Sequence, residues 1–498
     1  GLICSRCNKS YALSMRSDIC IQKQKCYHGY FLWIFLIGIS VSQAFCLMFQ
    51  NELLYFYSIF WTICQYLKVA MLKLIKFKRK SSVEQIRPKQ DIKLIMKTKL
   101  KALLDFPISD IWMMVVYHLQ DISLLHNVPI GTEFRSFLHQ TKSQVQKIAQ
   151  LSIISFENIC LFNASAITKL ALSMFNVPCI CFIYFFVWAS SKITKNMGCN
   201  FNLGFISAHL VYGILMLAIY AQQKVASTAF TLISCVPVLD QLRLHIDGEI
   251  LCWQPWQINI FMLIFLIIAP VPFVFLLGPA MLDKNLISAK QFLFALLFPV
   301  PFLLHWIILL KVNTMSKNTG VKTENGHAVL SEQPSIKVKT ESVATILGEL
   351  TSAYDHKYSK YFCWVGIIEI RRLVLVLVDK FIANEISRYS MLLFTLSMAL
   401  VFELLFKPYK YSFVYFVNIL CFLCQEGVVT INCFIIAFSF MNNMYKRFEF
   451  PTETIFTLRY VEDILSTWVP FCILILSLCL KLAKRLLICL KCQGRHVL

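Results

Sequence analysis

The feature that most constrains this chain is a series of long apolar runs that carry few charges. The clearest are Leu170–Ser190, Phe205–Tyr220, Ile258–Leu277, Phe362–Val378, Tyr389–Phe406, Val414–Phe440 and Ile464–Leu480. Each run approaches or exceeds the roughly 20 apolar residues that an α-helix needs to cross a bilayer. The sequence therefore predicts an all-α fold, a polytopic bundle of transmembrane helices.

The composition agrees with a membrane protein. Hydrophobic residues make up 58% of the 498 residues and charged residues 15%, against about 25% charged residues in a soluble domain. The net charge is +21, but the Lys and Arg residues cluster beside the apolar runs and no nucleic-acid-binding motif accompanies them. Basic residues in such places mark the cytoplasmic side and attract anionic lipid. We therefore expect membrane lipids as partners, and no nucleic acid.

The basic segments predict the orientation. Lys68–Lys101 contains twelve Lys or Arg residues and two acidic residues, so we expect it to lie in the cytoplasm against anionic lipid. The basic C-terminal tail belongs on the same side. Nine crossings, an odd number, then place the N-terminus outside. They are Tyr30–Phe49, Ile108–Leu125, Leu170–Ser190, Leu203–Ala221, Ile258–Leu277, Phe362–Ile382, Tyr389–Phe406, Val414–Phe440 and Ile464–Leu480.

Two further apolar stretches are not counted as crossings. Leu53–Ile75 is interpreted as a cytoplasmic extension or interfacial helix, because a crossing there would move the basic segment outside. Gln291–Leu310 contains Pro299, Pro301 and His305. These residues suit a kinked, re-entrant or surface-lying segment.

The predicted organisation follows from these assignments. A cysteine-rich extracellular module ends within 1–28, and the first span covers 29–49. The remaining parts are a basic cytoplasmic or interfacial segment (50–106), the first part of the bundle (107–282), a cytoplasmic loop (283–360), the second part of the bundle (361–480) and a basic tail (481–498). The first residue is Gly1, already inside a cysteine pattern, so we expect a longer protein with an ectodomain before this region. We expect an integral protein of the plasma membrane.

Cysteines and sequons add extracellular candidates. Disulfides are expected among Cys4, Cys7, Cys20 and Cys26, where the spacing also fits a structural zinc, and between Cys235 and Cys252. A bond between the last two would brace a loop between two spans. The candidate glycosylation sites are Asn8 and Asn163. Cys489 and Cys492 lie at the cytoplasmic membrane boundary, where palmitoylation is expected rather than zinc binding.

Ionisable residues inside predicted spans are the main functional candidates, because burying them in a bilayer is costly. Arg371 and Arg372 follow Glu369 in one span. Successive residues on a helix point about 100° apart. We therefore expect that the two arginines do not share a partner, and that one faces the bundle while the other extends toward the headgroups. Glu426, in the middle of another span, either pairs with an arginine or lines a cation path. Glu403, near the inner end of its span, can extend toward the headgroups.

A second group of polar residues lies in Ile108–Leu125. His118 and Asp121 are three residues apart and share a helix face, and Asp110 lies on roughly the same side two turns earlier. Such a stripe lines water or packs against other polar helices. It is a weak metal candidate, because a site needs three or four ligands. We predict no metal and no cofactor. No nucleophile–base pair or nucleotide-binding loop appears, so an enzyme is not expected.

Several motifs together resemble one group of proteins. They are Gly1–Tyr11 with its G-x-x-C-x-x-C-x-x-x-Y spacing, Tyr117–Gln120, Ser234-Cys235 with Glu249–Trp253, Tyr354, Tyr361–Leu375 with its Trp–Glu–Arg–Arg block, and Lys407-Pro408-Tyr409. They resemble the multi-pass region of cysteine-rich surface proteins of protists and invertebrates, which is distantly similar to the fungal transient-receptor-potential-like family. The resemblance implies a membrane sensor or a channel-like role.

Three functions remain open at this stage. The first is a channel-like protein or sensory receptor in which the charged span residues line or gate a cation path. The second is a non-conducting receptor or adhesion protein whose ectodomain binds a ligand, which a tightly packed bundle without a water-accessible cavity would favour. The third is a lipid or small-molecule transporter, which would need a groove open to the bilayer. The sequence does not indicate the oligomeric state.

Overall fold

The fold is known from a computed structural model. It describes residues 11–14, 20–22, 30–49, 108–125, 160–161, 166–196, 203–238, 241–318, 346–348, 350–351, 354, 363–445 and 452–481. Several predictions concern residues outside these ranges: Leu53–Ile75, Lys68–Lys101, Cys4, Cys7, Cys26, Asn8, Asn163, Cys489 and Cys492. Cys20 lies in a described strand, but its side chain is outside the description.

Helices make up most of the described chain. They are α1 (Tyr30–Met48), α2 (Ile108–Leu125), α3 (Ala166–Ser173), α4 (Asn176–Asn196), α5 (Leu203–Ile233), α6 (Pro255–Leu263), α7 (Val271–Asp283), α8 (Ala289–Leu297), α9 (Pro299–Asn318), α10 (Trp364–Phe381), α11 (Glu385–Phe406), α12 (Ser412–Tyr445), α13 (Thr452–Asp463) and α14 (469–481). Two π-helical turns, Ile264–Ile268 and Ile464–Trp468, join α6 to α7 and α13 to α14. The predicted helical fold is confirmed.

Within the described residues, five helices are long and apolar enough to cross a membrane. They are Leu170–Ile193, Pro255–Asp283, Glu385–Phe406, Ser412–Met441 and Thr457–Lys481. Each contains one of the predicted spans almost entirely, so the protein is an integral membrane protein by helix length and composition. The other four predicted crossings fall on α1, α2, α5 and α10 and stay predictions.

Two helices extend well beyond the predicted spans. α5 continues from Ala221 to Ile233, and the last helical segment begins at Thr452 rather than Ile464. Both extensions carry polar side chains, which ended the apolar runs in the sequence without ending the helices. The polar groups of these extensions pack against neighbouring helices, as described below.

The centre of the bundle is α10. It contacts α2, α5, α7 and α11, while α12 packs against α2 and α11. α10 approaches α7 most closely at Gly366, where a Cβ atom would lie 2.4 Å from the backbone N and Cα atoms of Leu276. Only glycine leaves room for this crossing. The largest fully buried side chain among the described residues is Arg372, so a charged group lies at the centre of the core.

Two small sheets accompany the helices, which the all-α prediction did not include. Strands β1 (Tyr11–Ser14) and β2 (Cys20–Gln22) pair antiparallel, and β3 (Cys160–Leu161) adds to the other edge of β1. Strands β4 (Cys235–Val238), β5 (Gln241–Leu244) and β6 (Asp247–Leu251) form an antiparallel meander between α5 and α6. The first sheet combines two strands that precede α1 with one strand from the connection between α2 and α3, and the second sheet lies in the connection between α5 and α6.

The bundle has two distinct ends. At the hairpin end, next to β4–β6, the Ser234 hydroxyl donates to the Lys380 carbonyl at 3.2 Å and the Tyr389 hydroxyl to the Leu125 carbonyl at 3.3 Å. At the opposite end, here called the linker end, Tyr354 pairs with Tyr409 and the Cys363 amide donates to the Leu276 carbonyl at 3.0 Å. α10 runs from the linker end to the hairpin end.

Candidate functional site

Four charged side chains from two helices meet in the core and form the buried charge cluster. Asp121 comes from α2, and Glu369, Arg371 and Arg372 come from α10. The two acids and Arg372 are at most 1% exposed at the side chain, and Arg371 is 11% exposed. Two positive and two negative groups balance, so the ionised cluster has no net charge. Balance of this kind is what makes buried charges tolerable.

Arg371 joins α10 to α2. Its Nη2 atom donates to Oδ2 of Asp121 at 2.8 Å, and the same carboxylate oxygen accepts from Nε2 of Gln425 on α12 at 3.2 Å. The guanidinium group also lies over the ring of Phe422, 4.5 Å from its centroid. Asp121 therefore connects three helices through one carboxylate.

Arg372 makes the larger number of contacts. Nη1 donates to Oε1 of Glu369 at 2.9 Å, and Nε lies 3.4 Å from Oδ1 of Asp121. The side-chain oxygens of Gln120 and Gln223 accept from its guanidinium group as well. Five donors in a planar fork suit several acceptors at once, and here those acceptors come from α2, α5 and α10.

The two glutamines are held in position by backbone groups. Gln120 Nε2 donates to the Tyr220 carbonyl at 3.1 Å, and Gln223 Nε2 donates to the Gln120 carbonyl at 3.2 Å. With their nitrogens so occupied, both amide oxygens are directed at Arg372. The sequence analysis did not single out either glutamine for this role. The sequence signal that could have identified them is a side-chain amide inside an apolar run or just beyond its end, because burying such an amide without a hydrogen-bond partner is costly.

Two sequence-based predictions about the arginines were wrong. Both arginines contact Asp121, although we expected them not to share a partner. Neither extends toward the headgroups, because both side chains turn inward to the buried carboxylate of Asp121. The 100° separation holds for the Cα–Cβ directions. However, an arginine side chain is long and flexible, so two arginines whose Cα–Cβ bonds point in different directions can still reach the same carboxylate on a neighbouring helix.

A small polar cavity of about 10 Å³ lies beside the cluster. It is lined by Met114, Tyr117, His118, Ile368, Arg371, Asn418, Cys421, Phe422 and Gln425. Both ring nitrogens of His118, the Tyr117 hydroxyl and Oε1 of Gln425 are buried without hydrogen-bond partners among the described residues. A cavity of this size accommodates about one water molecule, and these groups supply the partners that such a water needs.

The polar stripe of α2 is divided between two places. His118 and Asp121 both border the cluster, as their shared face predicts. Asp110 is buried too, but it lies eleven residues earlier, about 16 Å along the helix axis, where its charge acts on Tyr354 at the linker end. Within the described ranges no group of three or more His, Cys, Asp or Glu side chains could hold a metal ion.

Neither Glu426 nor Glu403 forms an ion pair with Arg371 or Arg372. Glu426 is half-buried, and its Oε1 atom has no hydrogen-bond partner in the described part of the chain. The pairing of Glu426 with Arg371 or Arg372 is therefore wrong, because the nearer acids Asp121 and Glu369 occupy both guanidinium groups. Glu403 does not extend toward the headgroups either. It is 3% exposed and accepts a hydrogen bond from Nε1 of Trp364 at 3.0 Å.

A second polar network joins α12 to α13 and was missed by the sequence analysis. Nη1 of Arg459 donates to Oε2 of Glu462 at 2.7 Å and to Oδ1 of Asn432 at 2.9 Å. Nδ2 of Asn432 donates in turn to Oε1 of Glu462 at 3.2 Å. The sequence placed Arg459 and Glu462 in a connection, since helix α13 is too polar to be recognised as part of a span.

The β4–β6 hairpin lies outside the spans. Cys235 and Cys252 form a disulfide that closes its base. His245, in the turn between β5 and β6, lies near Lys380 and Arg388 on the bundle below. Partial burial and then these two positive charges lower the pKa of His245 below its ordinary value, while Asp379 opposes the shift.

Three of the motifs named in the sequence analysis lie near one another in the structure. Tyr117 lies under Arg372, with 4.7 Å between the ring centroid and the guanidinium carbon. The rings of Tyr354 and Tyr409 lie 5.3 Å apart, and Trp364 binds Glu403. The motifs of α2, of the Trp–Glu–Arg–Arg block and of the Lys-Pro-Tyr turn thus form one continuous region from the charge cluster to the linker end. No family model, curated protein or solved structure matches this chain.

Proposed function

We propose that this integral membrane protein is a channel-like protein or sensory receptor, and that the buried charge cluster holds its bundle closed. The single observation that carries the proposal is the position of Asp121 between Arg371 and Arg372. A balanced set of charges at the centre of a bundle is an expensive way to stabilise packing. In membranes such groups are typical of ion paths and voltage or ligand sensors.

The geometry suggests how opening would proceed. If α2 separated from α10, Asp121 would lose both of its positive partners, whereas Glu369 would keep Arg372 on its own helix. Glu426 on α12, which has no cationic partner among the described residues, would then be a second acid without a positive partner. Acidic side chains around a path favour cations. Arg371 would act as the gating residue, because its guanidinium group binds the same Asp121 oxygen that accepts from Gln425 on α12.

We further propose nine crossings in the plasma membrane, with the N-terminus outside and the C-terminus cytoplasmic. The pairing of β1 with β3 favours this arrangement, because it joins Leu13 to Leu161 and so puts both segments on one side. Phe49 at the end of α1 lies 5.0 Å from His209 near the start of α5, between ring centroids. α5 then leads to the Cys235–Cys252 disulfide, which needs an oxidising compartment.

Orientation is testable on intact cells. A membrane-impermeant amine reagent should leave Lys89 unmodified until the cells are permeabilised, whereas glycosidase treatment should remove a sugar from Asn163 on intact cells. Modification of Lys89 without permeabilisation would contradict the proposed topology. Peptide mapping by mass spectrometry distinguishes the sites.

Cation flux tests the proposed activity. Purified full-length protein in liposomes should pass K⁺ or Na⁺, measured with an entrapped fluorescent dye, when the membrane is stretched or polarised. Arg371→Gln should raise the resting flux, because it removes the shorter of the two contacts between Asp121 and α10, and Glu426→Gln should lower the flux. Glu385→Gln is the matched control, since Glu385 is exposed at the start of α11. Absence of flux from the native protein and from Arg371→Gln alike would reject conduction.

A non-conducting receptor or adhesion protein is the second candidate. The observation in its favour is the size of the cavity at the cluster, which leaves room for about one water molecule. In that case the cluster serves to fix the helices relative to one another. Arg371→Gln would then lower thermal stability without producing flux, which separates this candidate from the first.

A further inference from the structure

Helices α8 and α9 pack as a helical hairpin against the span formed by α6 and α7. The proposed function does not use this hairpin. α7 ends at Asp283, and α8 turns back along it, so that the ring of Phe292 lies against Gly278. A Cβ atom at Gly278 would be only 2.4 Å from that ring. After a break at Phe298, whose φ and ψ are −129° and 74°, α9 contacts both α7 and the π-helical turn Ile264–Ile268.

This geometry narrows the alternatives left open for Gln291–Leu310. The segment is kinked at Phe298, and its two helices pack on a span rather than leaving it. α8 starts beside the end of α7, and α9 reaches the π-helical turn that lies inside the same span. A re-entrant hairpin, which enters and leaves on the same side, fits these contacts.

Between the two helices lies a pocket of about 500 Å³. Its walls are formed by Ile287, Lys290, Gln291, Phe294, Ala295, Phe298, Pro301, Phe302 and His305. Volumes of 300 to 1,000 Å³ are typical of small-molecule sites. The pocket is therefore large enough for part of an amphiphile and far larger than the cavity at the charge cluster.

The lining is divided by polarity along the helix axes. Lys290 precedes the break at Phe298 by eight residues and His305 follows it by seven, so both lie about 10–12 Å from the turn. Phe294, Phe298 and Phe302 lie nearer the turn. One end of the pocket is thus basic and polar, the other is aromatic, and none of the described lining residues is acidic.

The capping of α8 contributes to the polar end. Oε1 of Gln291 accepts a hydrogen bond from the backbone N–H of Ser288 at 2.8 Å, while the Ser288 hydroxyl accepts one from the backbone N–H of Gln291 at 3.3 Å. This capping box uses the oxygen of the Gln291 side chain. Its Nε2 group remains available as a donor beside Lys290, so the polar end presents donors.

We propose that this pocket binds one membrane phospholipid with an anionic headgroup. Lys290, Gln291 and His305 contact the phosphate region, and Phe294, Phe298 and Phe302 contact the start of the acyl chains. Charge complementarity decides the class of ligand, because donors and a positive charge line one end and no acid is among the lining residues that the structure describes. Position decides its source, since the pocket opens beside a span, where bilayer lipid is the abundant amphiphile.

Photolabelling of the full-length protein in liposomes tests the proposal. The probes are photoactivatable phosphatidylserine and photoactivatable phosphatidylcholine at equal mole fraction, followed by peptide mapping. We expect phosphatidylserine to label peptides of α8 and α9 at least five-fold more than phosphatidylcholine. The double variant Lys290→Gln with His305→Gln should reduce that labelling at least five-fold. Lys284→Gln is the matched control, because Lys284 is exposed at the end of α7 but does not line the pocket.

Several results would overturn the proposal. Equal labelling of α8 and α9 by both lipids would remove the role of the headgroup, and no labelling of these helices would assign the pocket to another occupant. Displacement of the label by soluble glycerophosphoserine at millimolar concentration would point to a water-soluble phosphate ligand instead. The comparison of two lipids on the native protein stands even if the double variant does not fold. None of these outcomes depends on cation flux.

Discussion

The side-chain carboxylate of Asp121 lies 2.8 Å from the guanidinium group of Arg371, although 250 residues separate the two in sequence. The contact joins α2 to α10 across the core, and Gln425 extends it to α12. An ion pair buried to this degree loses the hydration of both groups, so each partner depends on the other. Removal of either partner alone would therefore leave an uncompensated charge in the bundle.

Asp121→Asn should destabilise the protein strongly. The substitution leaves Arg371 and Arg372 with Glu369 as their one remaining acid in the cluster, and an uncompensated buried charge costs about 3–5 kcal/mol. We expect a lower midpoint in thermal unfolding of the detergent-solubilised protein, followed by size-exclusion chromatography. Asp283→Asn is the control, because Asp283 is exposed.

The double variant Asp121→Asn with Arg371→Gln separates charge from packing. Removing one positive charge along with the negative one restores the balance of the cluster. The double variant should therefore be more stable than Asp121→Asn alone. A double variant that is less stable than either single variant would mean that Asp121 stabilises the bundle through packing, and the electrostatic account would be wrong.

The sequence predicted which residues belong to the charge cluster better than how they pair. Asp121, Glu369, Arg371 and Arg372 were all recognisable, because ionisable groups in apolar helices are rare and costly. Their pairing depends on which helices are neighbours, and no local pattern records that α2 packs against α10. For Glu426 the sequence therefore left two alternatives open, pairing with an arginine or lining a cation path.

Helix ends were harder to predict than helices. The apolar runs identified the central part of each membrane-length helix, since hydropathy measures transfer into the bilayer. The runs ended wherever polar side chains began, and so Gln223 and Arg459 were assigned to connections. In the folded protein Gln223 binds Arg372 and Arg459 binds Glu462. Partners on other helices allow a helix to continue past the end of its apolar run.

Gly366→Ala should disrupt the crossing of α7 and α10. The new methyl group would lie 2.4 Å from backbone atoms of Leu276, which unlike a side chain cannot rotate away. Overpacking of a core costs about 1–3 kcal/mol, and we expect the upper end of that range here. Gly38→Ala is the matched control, because a Cβ atom there meets nothing within 4 Å among the described residues. Equal thermal midpoints for the two variants would contradict the observed crossing.

Cys235→Ser with Cys252→Ser should weaken the hairpin end. The disulfide closes a segment with a sequence separation of 17, and closing a loop of that size is worth about 3 kcal/mol in the entropic account. We expect faster cleavage of 235–252 by an added protease, while α10 to α12 stay protected. Cys181→Ser, which removes an exposed free cysteine, controls for the loss of a thiol and should leave the cleavage rate unchanged.

The stability of the hairpin end should depend on pH through His245. The pKa of this side chain is lowered in the folded protein, first by partial burial and then by Lys380 and Arg388. The unfolded chain therefore binds the proton more tightly, so this contribution to stability is present above about pH 6.5 and is lost as pH falls through the lowered pKa. The effect should be small, because much of the residue surface remains exposed to water, which screens these interactions. Protease cleavage of the hairpin should accelerate between pH 7.5 and pH 5 in the native protein and less so in His245→Gln. In Lys380→Gln the acceleration should be weaker than in the native protein, because one of the charges that lower the pKa is gone; an unchanged pH profile in both variants would exclude His245 as its source.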